Sequence, residues 1–188
     1  MSSLLDLLLS DDNKSSLDQL SKNFGLDDSQ TRSAVKELIP ALSRGLGKNT
    51  AGEPGMDDLL EALRTGKHER YLDEPSALGA EATKQDGNDI LGHIFGTKEV
   101  SREVARRAST KTGISDSLLK KMLPVLATVA MGAISKSVLG GGRSGTINRS
   151  GAASRSGAGG LIGSLLDSDR DGSVWDDVLG MAARSMLR

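Results

Sequence analysis

Residues 113–139 read GISDSLLKKMLPVLATVAMGAISKSVL, and this stretch decides the fold. From Met122 to Ile134 every side chain is apolar, small or a threonine. A helix built from it has no face to turn to water, which marks a helix enclosed by other helices. A strand of that length is disfavoured, since globular strands run to about 10 residues at most. The apolar part is 13 residues long, against the roughly 20 that cross a bilayer. A buried helix from about Ser115 to Leu139 is therefore expected, with no membrane association.

Moving outward, KEVSREVARRASTKTG (98–113) is a charged helix that stops at Gly113, and DILGHIFG (89–96) is a helical piece broken at Gly96. The stretch 66–88, GKHERYLDEPSALGAEATKQDGN, mixes Pro, Gly and charge without a period, so it reads as mostly irregular with one helical turn after Pro75. A short helix from Met56 to Thr65 closes on Gly66, and KNTAGEPG (48–55) before it is a loop. Nearer the start, Leu4, Leu5 and Leu8 share one helical stripe. A second helix runs from about Lys14 to Phe24 and ends at Gly25. A third begins at Asp27, which with Gln30 forms a capping box, and carries Ala34, Val35, Leu38, Leu42 and Leu46 on its inner side.

Beyond Leu139, GGGRSGTINRSGAASRSGAGG (140–160) is Gly, Ser and Arg with almost nothing to bury, so it reads as a flexible linker. Its 21 residues reach on the order of 25 Å. Leu161–Leu166 and Val174–Leu187 follow as two short apolar helices. The expected organisation is an all-helical domain over 1–139, the linker over 140–160, and a C-terminal helix-loop-helix segment over 161–188.

Two pieces resemble each other: FGLDDSQTRSAVKELIPAL (24–42) and TGISDSLLKKMLPVL (112–126) share Gly, an aliphatic residue, an Asp/Ser cap, Lys, an apolar pair, Pro and Leu. Pro40 and Pro124 each remove a hydrogen bond from a helix and are expected to kink it. The fold class is thus all-α, a bundle of short helices with two kinked αα-hairpins.

Composition agrees. The 188 residues are 37% hydrophobic but only 2% aromatic, so Leu, Ile, Val, Met and Ala fill the core, which suits helix-on-helix packing. Cysteine is absent, which removes disulfides and thiol chemistry. Net charge is −1, giving no global field toward nucleic acid. The opening MSSLLDLLLSDDNK lacks a basic n-region and a cleavage site, so a cytoplasmic location is expected.

The segments GKHERYLDEPSAL, DGNDILGHIFG, SREVARRASTKTGISDSLLKKMLPVLATVAMGAI and LLDSDRDGSVWDDVLGM, in that order, resemble the bacterial family known as domain of unknown function 937. The resemblance implies a helical bacterial protein with no established activity, and supplies no mechanism.

Three places carry candidate chemistry. In LLDSDRDGSVWDDVLG (165–180), Asp167, Asp169 and Asp171 alternate before Gly172, as in a calcium loop, with the Ser173 carbonyl and the Asp176 carboxylate as further ligands for Ca²⁺ or Mg²⁺. The position where an EF-hand has its bidentate Glu is Val178. The competing reading is a helix start, with Asp171 or Ser173 as cap and Asp176 and Asp177 in the first turn. Second, His68, Arg70, Tyr71, Asp73 and Glu74 cluster in sequence, and an enzyme would use His68, Tyr71 and Asp73; a hydrogen-bonded loop is the alternative. His93 lies among apolar residues and is expected in a core or interface. Third, Arg102, Arg106, Arg107 and Lys111 make one helix basic, with Lys120, Lys121, Arg143, Arg149 and Arg155 beyond it, but Glu99 and Glu103 offset them and a solvated face is expected rather than a nucleic-acid surface. With no nucleophile motif or phosphate loop present, the expected function is non-enzymatic: binding to a protein partner or to itself.

Overall fold

The computed structural model describes residues 3–51, 53–66, 68–139 and 153–166. These form helices α1 (Leu4–Leu8), α2 (Lys14–Phe24), α3 (Asp28–Asn49), α4 (Glu53–Thr65), α5 (Arg70–Asp73), α6 (Glu81–Phe95), α7 (Lys98–Thr112), α8 (Asp116–Leu139) and α9 (Ala153–Leu166), with 3-10 turns at Asp11–Asn13 and Pro75–Gly79. No strand occurs among the described residues, and the architecture is an all-α bundle.

Helix α8 is its axis. Every residue from Met122 to Ser135 is buried, and each of the other helices packs against α8. By length and composition Asp116–Val138 is long and apolar enough to cross a membrane, but 78% of its most apolar window is covered by the bundle. The helix is longer than its apolar run because polar residues at both ends extend it.

The two similar sequence pieces form similar turns. Gly25 closes α2 at φ 64° and donates to the Ser21 carbonyl. Gly113 closes α7 at φ 74° and donates to the Ser109 carbonyl. Both φ values lie in the left-handed region, where a Cβ is costly. Asp27 then caps α3 in a reciprocal box with Gln30, at 2.7 and 3.1 Å. At the start of α8, Ser115 Oγ accepts from the Leu118 amide at 3.3 Å. Pro40 and Pro124 each lie inside an unbroken helix. From turn glycine to proline is four residues less in the second hairpin than in the first. Four residues make about one helical turn, so the two prolines keep nearly the same side.

Two segments differ from expectation. Residues 81–88 are not irregular but form the first half of α6. The buried side of α6 is Thr83, Gly87, Leu91 and Ile94, a helical spacing whose first two members are small or polar and so leave no hydrophobic signal. Gly87 is where α6 crosses α8: a Cβ there would stand 2.1 Å from the Pro124 carbonyl oxygen. The second correction concerns the linker. Residues 153–160, expected to be part of a flexible stretch, are helical, and α9 packs on α3 and α8. Ile162 is fully buried and Leu166 nearly so, one turn apart, and their burial outweighs the poor helix propensity of the glycines before them. A smaller shift is at α4, which begins at Glu53 and narrows the preceding loop.

Candidate functional site

The cluster from His68 to Glu74 sits where α4 turns into α5 and lies along α8. The approach is close: a Cβ on Gly132 would stand 2.7 Å from the His68 carbonyl oxygen. From α8, Ser135 Oγ donates within 3.3 Å of Glu69 Oε1 and 3.4 Å of the Leu63 carbonyl. The result is a cleft of about 370 Å³ lined by Leu63 and Arg64 of α4, Glu69, Arg70, Asp73 and Glu74 of the α5 segment, and Ser135.

The side chains expected to act together divide between this cleft and the interior behind it. Tyr71 is fully buried, and its hydroxyl donates to Asp86 Oδ2 of α6 in a short hydrogen bond. Arg70 Nη2 reaches the Tyr71 oxygen at 2.7 Å and Asp86 Oδ2 at 2.9 Å, with its guanidinium 4.8 Å from the Tyr71 ring centre. Burial raises the Tyr71 pKa; the Arg70 hydrogen bond offsets part of this and Asp86 adds to it. The hydroxyl therefore keeps its proton and acts as a donor. His68 is only 9% exposed, with its ring centre 6.3 Å from that of Tyr71, and its Nδ1 is buried without a hydrogen-bond partner. Asp73, by contrast, is 60% exposed and pairs with Lys136 at 3.5 Å. His68, Tyr71 and Asp73 thus do not converge on one reacting point.

Asp86, Glu69 and Ser135 complete the cluster and were not legible as members of it. Asp86 lies in the segment read as irregular, and Ser135 closes an apolar run. Most polar groups of the cleft answer one another: Arg70 with Asp86, Asp73 with Lys136, Ser135 with Glu69.

His93 is exposed rather than in a core, on the side of α6 away from Leu91 and Ile94. Its carbonyl and that of Ile94 accept from Asn49 Nδ2 at 2.6 and 2.8 Å, which caps the end of α6. The basic side of α7 is paired: Arg106 and Arg107 both hold Glu103, at 2.7 and 2.8 Å, Arg102 faces Glu99 at 3.6 Å, and Lys111 reaches Glu37 of α3 at 2.9 Å. Hydrogen bonds from Arg107 and Arg106 hold the Glu103 carboxyl below its usual range. The candidate cation loop with Asp167, Asp169, Asp171, Ser173 and Asp176 lies outside the described residues. Among the described residues no group of three or more His, Asp or Glu is arranged to hold a metal ion.

A family model described as "Bacterial protein of unknown function (DUF937)" matches residues 6–137, more than two thirds of the chain. The chain belongs to this family. The DUF937 region runs from α1 almost to the end of α8, so it takes in the bundle axis, both glycine-turned hairpins and the His68–Glu74 cluster. Helix α9 and the residues after it lie beyond it. Neither the curated proteins nor the solved structures compared with the chain gave a match.

Proposed function

We propose that this protein is a non-enzymatic interaction module whose helical body mounts a C-terminal segment for contact with a second copy of the chain. The observation that carries the reading is the seating of α9. This helix follows the matched region in sequence, yet it returns to the body and lies on α3 and α8 through Ile162 and Leu166. The chain after Leu166 therefore starts from a defined place on the bundle. That stretch carries Val174, Trp175, Val178, Leu179, Met181, Met186 and Leu187, an apolar set at helical spacing and rich in the residue types favoured at interfaces. The divergence of His68, Tyr71 and Asp73, and the mutual pairing of the cleft's charges, favour this reading over an enzyme.

Light scattering on three chains tests it: the full chain, one ending at Leu166 and one ending at Leu139. The full chain should show a mass above that of a monomer that falls on dilution. The chain ending at Leu166 should be monomeric, with the thermal stability that the full chain shows when diluted to a monomer. The chain ending at Leu139 should lose stability as well, because α3 and α8 are uncovered. A full-length chain that stays monomeric at several hundred micromolar overturns self-association.

A further inference from the structure

We propose that His68 is an acid-operated latch: protonation of its enclosed ring releases residues 68–74 from α8 and opens the cleft above Ser135. The geometry comes first. His68 is more than nine-tenths buried, and its Nδ1 has no hydrogen-bond partner and no access to water. Gly66 and Gly132 fit closely on either side of the residue, against the ring and against the backbone carbonyl respectively. A neutral ring can keep Nδ1 as an unprotonated lone pair in this position at modest cost. An imidazolium cannot, because both nitrogens then carry protons and the Nδ1 proton meets no acceptor.

The charged surroundings divide. From α5, the Arg70 guanidinium opposes a proton on the ring, while Tyr71 keeps its own proton and offers no negative charge. From α6, Asp86 favours the proton, but its carboxylate is already engaged by Tyr71 and Arg70. From α4, the Ala62 carbonyl favours it as well, and α8 meets the residue at Gly132, which has nothing to ionise. Burial outweighs the favourable groups and holds the His68 pKa below its ordinary 6.5.

The consequence has a definite sign. A histidine whose pKa is lowered by folding contributes no penalty well above pH 6.5, where the ring is neutral in both states. As pH falls through 6.5, the released ring takes up a proton that the packed ring refuses, so the packed arrangement weakens. It stops weakening once pH passes below the folded value. Each unit of difference lowers the ratio of closed to open states by up to about tenfold. Residues 68–74 form one wall of the cleft, so their release is the step that exposes Leu63 and Ser135.

The test is an NMR titration of the full chain between pH 8 and 4.5, following the ring protons of His68. Amide exchange of Tyr71, Leu72, Asp73 and Glu74, whose donors bond to His68, Glu69 and Arg70 carbonyls, is followed in parallel and corrected for the intrinsic pH dependence. The expected result is a His68 titration below 6.5, with protection of these four amides falling beyond the intrinsic pH dependence as it proceeds while α8 amides keep theirs. A second chain, His68→Gln, has no ionisable ring and should keep the four amides' protection flat across the same range. A His68 titration at or above 6.5, or protection unchanged through it, overturns the latch. So does a His68→Gln chain that loses protection in acid as the original does. Should that variant fail to fold, the titration and exchange of the unsubstituted chain decide alone.

Discussion

The hairpins α2–α3 and α7–α8 are punctuated alike and used differently. Each turns on a left-handed glycine, restarts on an Asp or Ser cap and carries a proline inside its second helix. In α3, Lys36, Arg44 and Lys48 reach water along one side while Val35, Leu38, Ile39 and Leu42 are buried on the other. In α8 no residue from Met122 to Ser135 reaches water. Local signals thus set where a helix begins and ends, whereas the number of neighbours around it sets what its side chains must be. The polar partner helix of α8 fits this: α7 buries Ala105 and Ala108, small residues that let it lie close, and spends its outer side on ion pairs.

Substitutions can break or sharpen that contrast. The largest effect is expected from a charge. Ala127→Lys in α8 places an ammonium where no partner or water is within reach, so the chain should lose its cooperative unfolding transition in urea. Ala41→Lys in α3, just past Pro40 on a half-exposed side, should stay within about 1 kcal/mol of the original. If both chains unfold alike, α3 is as enclosed as α8 and the contrast fails.

Glycines inside the two helices should respond with opposite signs. Gly132→Ala pushes a methyl against the His68 carbonyl and should cost about 1–3 kcal/mol in denaturant midpoint comparisons. Gly47→Ala meets nothing within 4 Å in α3 and should stabilise by about 0.5–1 kcal/mol, the ordinary gain of alanine over glycine in a helix. A loss at Gly47 would show that the end of α3 is strained.

The caps should differ by less. Asp27→Ala removes the 2.7 Å bond that its carboxylate accepts from the Gln30 amide and leaves the reciprocal bond from its own backbone amide, for a loss of about 1 kcal/mol. Ser115→Ala removes two longer bonds, at 3.3 Å to the Leu118 amide and 3.4 Å to the Ser117 hydroxyl, and should cost less than that, as thermal unfolding of the two variants side by side would reveal. Smallest of all, Glu103→Gln on exposed α7 should leave the melting temperature at pH 7 unchanged in ordinary salt, because ion pairs in water contribute little.

The same contrast explains what the sequence revealed. The ends of α2, α3 and α7 were legible because Gly25, Gly113 and the Asp27–Gln30 box act on their own neighbours. The enclosure of α8 was legible because it needs apolar residues on all sides. The first half of α6 was hidden, since its inward positions are Thr83 and Gly87, chosen to let two backbones meet rather than to fill space. Asp86 was hidden with it, and so was the network that fixes Tyr71. His93 is not in the core that its apolar neighbours allowed; counting from Leu91 and Ile94 by helical period places it on the outer side. The beginning of α9 was missed because glycine and serine announce flexibility, while Ile162 and Leu166 obtain their partners from α3 and α8.

Because the helices of the body rest on α8, the order of synthesis works against early folding. Helices α1 to α7 leave the ribosome first, able to meet one another but not the axis they share, and at about 5–20 residues per second the first of them wait on the order of 10 s before it is made. Until then the nascent chain is a string of half-apolar helices linked by glycine turns, the kind of surface that chaperones hold. The bundle closes late and from its end, and α9 closes later still.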